Sequence, residues 1–258
     1  MSKSVKDLMK EKSSRQKSLQ FTEKAMPLFF LACAIISILT TFGIVFTLAK
    51  ETVTFFDEVP IREFLTGKEW YPFFKNDPSF GILPLLSGTF LIAGVAMLVA
   101  VPIGLSSAIY LSEYATERTR KIVKPILEVL AGVPTVVYGL FALTFVTPLL
   151  QTVIPNLPIF NALSPGIVVG IMIIPQITSL SEEAMGAVPN AMREGALALG
   201  ATRLEVALKV ILPGSLSGII SSVVLGISRA VGETMIVSTA AGSTPKFTLD
   251  VTESIQTM

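Results

Sequence analysis

Two residues carry most of the chemistry open to this chain. Arg229 and Glu233 stand four apart in an apolar run, 213–240, that holds no other Asp, Glu, Lys or Arg. An arginine at mid-membrane costs roughly 2.5–3.5 kcal/mol on insertion scales, so such a residue faces protein or water and usually has work to do. On a continuous helix the i, i+4 spacing puts both on one face, within reach of each other. Counted from Pro213, Arg229 lies about 24 Å along a helix rising about 1.5 Å per residue, past the middle of a roughly 30 Å hydrocarbon core. Its planar fork can give two charge-assisted hydrogen bonds to a phosphate-like oxyanion, with Glu233 holding the fork until the anion displaces it. Gly232 and Thr234 would add close backbone approach and a hydroxyl. A structural salt bridge fixing this span against its neighbours explains the same spacing, and the two readings stand open together.

A second constellation is mechanical. Residues 182–213 read EEAMGAVPNAMREGALALGATRLEVALKVILP. Pro189 suits the first turn of a helix running to Leu199, and Gly200 then supplies the permissive backbone of a stop. Thr202 and Glu205 form a Thr-x-x-Glu capping box for a second helix, and Pro213 marks the next turn or the start of a span. The result is a helix–glycine–helix elbow, stiff enough to pass on motion from a soluble partner. An ordinary amphipathic interfacial hairpin would look similar.

These residues sit in a membrane protein. Hydrophobic residues make up 51% of the 258 and charged ones 15%, against roughly 25% charged in globular chains. No charge falls between Asp77 and Glu113 or between Glu128 and Glu182. Spans are predicted at 28–48, 83–111, 126–150, 164–181 and 213–240, all helical because backbone in hydrocarbon must satisfy its own hydrogen bonds. Pro102, Pro134 and Pro175 fall inside spans and should kink them. The first run is long for a signal peptide and reads as a retained span. The leader 1–27, with Lys3, Lys6, Lys10, Lys12, Arg15, Lys17 and Lys24, and the loop with Arg118, Arg120, Lys121 and Lys124 should be cytoplasmic. Residues 182–213 are then cytoplasmic too, while the loop 49–82 lies outside, where Trp70, Tyr71, Phe73 and Phe74 suit an interfacial anchor or a docking loop. Thr135, Tyr138, Gln176 and Ser179 line a path or bond to backbone carbonyls, and Gly166-x3-Gly170 suits close helix packing, with a second subunit as one partner.

Other function classes fit poorly. The chain has no histidine and one cysteine, Cys33, which removes Ser-His-Asp catalysis, HExxH zinc chemistry and cysteine metal sites. There is no phosphate-binding GxxxxGK[ST], so an enzyme would have to rest on Arg229 and Glu233 alone. A net charge of +1 argues against nucleic acid.

The elbow resembles the permease loop of binding-protein-dependent ABC importers, EAA-x3-G-x9-I-x-L-P. Glu194-Gly195-Ala196, Gly200, Val210, Leu212 and Pro213 fall in that register, with Gly195 for the middle Ala and Val210 for Ile. Across nearly its whole length the chain is similar to the phosphate-specific permeases of the PstC type, through FLTGKEWYP, LAGVPTVVYGLFAL and SRAVGETM. The resemblance implies an all-α, MetI-like polytopic bundle in a bacterial inner membrane, its permease domain at 83–258. It implies coupling to a separate ATPase through Glu194, Ala196, Gly200, Leu212 and Pro213, and passage of phosphate by alternating access past Arg229, Glu233 and Thr234. The implied partners are a second permease subunit, an ATP-binding subunit dimer carrying the ATP and Mg, an extracytoplasmic phosphate-binding protein, and membrane lipid. Alternatives are a like permease for another oxyanion or small solute, or a non-transporting scaffold. The family has six spans where five are predicted here, so a span beyond Met258 is expected.

Overall fold

The computed structural model describes residues 5–73 and 78–258, with side chains from residue 26 onward. The basic side chains of the leader and Phe74 therefore lie outside the described residues. Residues 1–61 and 62–258 form two units. The first is one long helix, α1 (Val5–Glu58), in which Met26–Glu58 is apolar enough to cross a membrane. The span predicted at 28–48 thus runs on through Glu58, because nothing in Lys50–Glu58 breaks a helix: no Gly or Pro occurs there.

The second unit begins with α2 (Ile61–Thr66) and a short hairpin, β1 (Trp70–Tyr71) against β2 (Ser79–Phe80), in which Trp70 faces Phe80 edge-on at 6.3 Å. The first long span here is α3 (Leu83–Ile109), extended by a π turn, Tyr110–Tyr114. An amphipathic helix, α4 (Glu117–Ala131), follows, then α5 (Thr135–Phe141), a π turn at Ala142–Val146, and α6 (Thr147–Val153). The span predicted at 126–150 is corrected accordingly: the apolar span is Thr135–Val153, and 126–131 belong to α4. Pro134 is the reason, since it disfavours helical backbone at Val133 and so sits at the cap of α5, where the expectation had it inside a helix. Pro102 and Pro175, by contrast, lie within α3 and α7 (Leu163–Gly186), which run through them.

The last expected span is broken twice. After α8 (Asn190–Ala198) and α9 (Arg203–Val206), a π turn at Ala207–Ile211 leads to α10 (Leu212–Gly214), and α11 (Leu216–Val231) leaves at 72° to that segment. Pro213 sits in the first turn of α10, where its missing N–H costs no helical bond; the chain turns at Ser215, and the straight span begins at Leu216. A second break at Gly232–Thr234 separates α11 from α12 (Met235–Ala240). Among the described residues, four helices are long and apolar enough to cross a membrane, and a fifth span is added if the bent pair counts as one.

Helices in lipid gain nothing from hiding apolar surface from one another, so close approach through small residues holds them together. Gly104 lies against Ile177, Gly166 against Val95, and Gly170 against the Ala96 carbonyl and Val99, which joins α3 to α7. The Gly166/Gly170 pair is thus used inside this chain and not for a second subunit. Gly226 meets Ile173 and Ile177, bringing α11 onto the same helix. Met172, Ile173 and Ile177 of α7 and Ala96 and Ala100 of α3 are buried in the resulting core with Ile236 and Val237 of α12. A Cβ at Gly170 would lie 2.8 Å from the Ala96 carbonyl oxygen, whereas one at Gly94 meets nothing within 4 Å. Gly170→Ala should therefore destabilise by about 1–3 kcal/mol, read as a lower melting temperature in detergent, with Gly94→Ala as the neutral control. Equal melting temperatures would contradict this packing.

Candidate functional site

The elbow forms as its sequence dictates. Pro189 caps α8, which ends at Ala198; the Gly200 amide bonds the Leu197 carbonyl at 2.9 Å and the Ala201 amide bonds the Ala196 carbonyl at 3.1 Å. These two bonds make a Schellman stop, and they require the residue between them to take the left-handed conformation. Gly200 does so, at φ +88°, with open space around it; conformation and not crowding asks for glycine there. Thr202 then starts α9 with both halves of the capping box: its hydroxyl accepts from the Glu205 amide at 3.3 Å, and its amide donates to Glu205 Oε2 at 3.0 Å. The Thr202 hydroxyl also donates to Glu205 Oε2 at 3.0 Å, and Lys209 adds a third contact to that carboxylate at 3.2 Å.

The five elbow residues divide by direction. Glu194, Gly200 and Pro213 are exposed. Ala196 and Leu212 are half-buried and pack against a small core of Ala108, Met185, Val188, Val206, Ile211 and Ile219. They hold the elbow to its own chain, while Leu199, 91% exposed, stands at its tip.

Beneath the elbow lies a polar network that local pattern could not reveal. Arg193 of α8 donates to the Met185 carbonyl at 2.6 Å, the Val188 carbonyl at 2.7 Å and Asn190 Oδ1 at 2.9 Å, and meets Glu113 Oε1 at 3.3 Å. Glu113 belongs to the π turn ending the α3 span, eighty residues away in sequence. On α4, Arg120 donates at 2.7 Å to the carbonyls of both Leu111 and Ser112, and Lys124 pairs at 2.7 Å with Glu182 of α7, which is buried. An open cavity of about 340 Å³ lies between these groups. The signal that points to them is weak: charges at the ends of spans with no partner in their own element.

The predicted intramembrane pair does not form. The i, i+4 relation needs one helix, and the break at Gly232 removes it. Glu233 instead turns onward, its Oε1 accepting from the amides of Met235 at 3.0 Å and Ile236 at 3.2 Å, the free donors that open α12. Arg229 is half-buried and donates to Gln176 Oε1 of α7 at 3.4 Å. Tyr138 bonds the Leu130 carbonyl at 2.8 Å, the backbone option for these polar residues. Thr234 is exposed and lines a separate cavity of about 170 Å³ that Arg229 does not reach. Among the described residues no cluster of three His, Cys, Asp or Glu side chains offers a metal site.

The Glu205 carboxyl is lowered from 4.5 to about 2, chiefly by the Thr202 amide and hydroxyl and then by Lys209. A lowered value means the cap is fully present above the unfolded value and is lost as pH falls through the folded one. Hydrogen exchange at the Thr202 amide, corrected for intrinsic rates, should stay slow from neutral pH down to about 4.5 and quicken only toward 2. Loss of protection beginning above the ordinary carboxylate value would contradict the box.

A family model described as binding-protein-dependent transport system inner membrane component matches residues 100–258. The chain is 36% identical over 234 residues to the probable ABC transporter permease protein YqgH of Bacillus subtilis, covering 90% of this chain and 75% of that one. It is 34% identical over 199 residues to the phosphate transport system permease protein PstC of Mesorhizobium japonicum, covering 70% and 60%. For the protein of the same description in Haemophilus influenzae the identity is 36% over 199 residues, covering 70% and 62%. The chain therefore spans less than two thirds of the length of these two relatives. A solved structure described as inward-facing conformations of the MetNI methionine ABC transporter aligns at 20% identity and a TM-score of 0.45, covering 59% of this chain and 68% of that one.

Proposed function

This chain belongs to the binding-protein-dependent transport inner membrane components, as a multi-pass ABC permease of the inner membrane, and from that premise we propose that it carries inorganic phosphate into the cell, driven by a separate ATPase that grips the elbow at 194–213. The observation that carries the coupling is the elbow's build: a helix, a Schellman stop and a capped second helix with an exposed apolar tip at Leu199. A segment whose ends are closed by specific bonds passes on displacement, where a loose loop would absorb it. By the distribution of Lys and Arg it faces the cytoplasm, where the ATP and Mg reside on the ATP-binding subunit dimer.

Phosphate as the solute rests on the relatives described as phosphate permeases and on Arg229. Its guanidinium has five donors, of which one is engaged among the described residues, at the long distance of 3.4 Å to Gln176. An intramembrane cation held so lightly suits a passing oxyanion better than a permanent lock. Glu233 does not hold the fork; it fixes the break after Gly232 that ends α11 just beyond Arg229. Closure of the ATPase dimer shifts the elbow, and the spans above it re-expose the Arg229 site by alternating access. A second permease subunit completes the pathway, and an extracytoplasmic binding protein delivers the solute.

The test is uptake of labelled phosphate into vesicles holding the assembled complex, with sulfate as competitor. Uptake should require ATP and resist sulfate. Arg229→Gln should cut it at least about tenfold, the loss of one or two charge-assisted bonds, with assembly unchanged. Gly200→Val, strained at φ +88°, should leave ATP hydrolysis running without uptake. Normal uptake by Arg229→Gln returns that residue to a structural role; competition by sulfate replaces phosphate with a broader oxyanion class; normal uptake by Gly200→Val removes the elbow as the coupling element.

A further inference from the structure

Besides the apolar core that takes Ala196 and Leu212, the elbow is joined to the spans by two routes that differ in stiffness. One is the chain itself, through residues 187–189 on one side and the bend at Ser215 on the other, where the segment Arg203–Gly214 and α11 meet at 72°. The other is Arg193. Its guanidinium reaches the Met185 carbonyl in the last turn of α7, the Val188 carbonyl in the connecting turn, and the Glu113 carboxylate on the π turn of α3. Only 17% of the Arg193 side chain and 11% of the Glu113 side chain are exposed, so solvent screens the pair little.

Other charged groups border the same cavity and leave this pair intact. Arg120 is held by the Leu111 and Ser112 carbonyls and lies 3.8 Å from Glu182, whose carboxylate is taken by Lys124. Ser112 donates to Glu113 Oε1 at 2.9 Å, which aims that oxygen at Arg193. Glu194, the next residue on α8, is exposed and takes no part.

Resting on the coupling role proposed above for the elbow, we infer that Arg193 and Glu113 form a latch through which displacement of α8 reaches α3 and α7 directly. Both are positioning residues. The latch identifies α3 and α7 as the driven pair, which their interlocked glycine contacts make one packed unit, whereas α11 follows across its bend. A planar fork bonded to two carbonyls and a carboxylate resists rotation of α8 about its own axis, which a single-point contact would permit.

The experiment is a double-mutant cycle on the assembled complex in vesicles, using Glu113→Gln, Arg193→Gln and the pair together, with Arg193→Lys as the variant that keeps the charge. Phosphate taken up per ATP hydrolysed is read beside the melting temperature of each complex. Each Gln variant should lower that ratio by about tenfold, with the double no worse than the poorer single, as for residues acting as one unit. Arg193→Lys should recover part of it. Lower melting temperatures with an unchanged ratio would overturn the latch, as would strictly additive losses. Gly200→Val separates the two ideas: if it uncouples while the cycle leaves the ratio untouched, only the latch falls; if it couples normally, the elbow reading itself falls.

Discussion

A backbone amide or carbonyl that loses its helical partner within hydrocarbon has no water to turn to, and each such group left bare costs several kcal/mol. Among the described residues, several breaks in the helices, in the bundle and at the elbow below it, are met by named substitutes. The gap between α4 and α5 is closed by the Tyr138 hydroxyl on the Leu130 carbonyl. At the elbow a Schellman stop and a capping box follow within three residues. At the bend, the Ile211 carbonyl keeps its helical partner, the Ser215 amide at 2.9 Å, and also accepts Ser215 Oγ at 2.7 Å. Before α12, the Glu233 carboxylate takes two amides. These breaks are therefore defined joints with a set geometry.

The helices have distinct tasks. Helices α3 and α7 lock together where Gly104, Gly166 and Gly170 let side chains and backbone of the other helix come close. Helix α11 rests on α7 through Gly226 and carries Arg229 to Gln176, but a 72° bend parts it from the elbow. The elbow and the Arg229 site thus do not share one rigid element. One helix touches both, α7: its Met185 carbonyl receives Arg193 and its Gln176 receives Arg229, which makes it the path the proposed coupling would take from α8 to Arg229.

Legibility in the sequence followed the range of the interactions. The capping box, the Gly200 stop and the apolar spans depend on neighbours within a few residues, and Thr202, Glu205 and Gly200 occupy the roles their spacing announces. The Arg229–Glu233 spacing predicts a pair only on a helix continuous through Gly232; the helix ends there, and the amides of Met235 and Ile236 take the carboxylate instead. Pro134 has the position of a kink inside an apolar run, but its effect on Val133 makes it a boundary. The Glu113–Arg193 contact lies beyond local reading altogether, since only the packing of α3 on α7 brings those eighty-residue-distant charges together.

The central claim is that the ATP-binding subunit grips the elbow. Leu199 offers the most direct test, being 91% exposed at the Schellman stop. A photo-crosslinking amino acid at position 199, activated in vesicles holding the assembled complex, should label the ATP-binding subunit, with a yield that changes between nucleotide-free and ATP-bound states. Labelling of lipid alone, at the same yield in both states, would contradict the account.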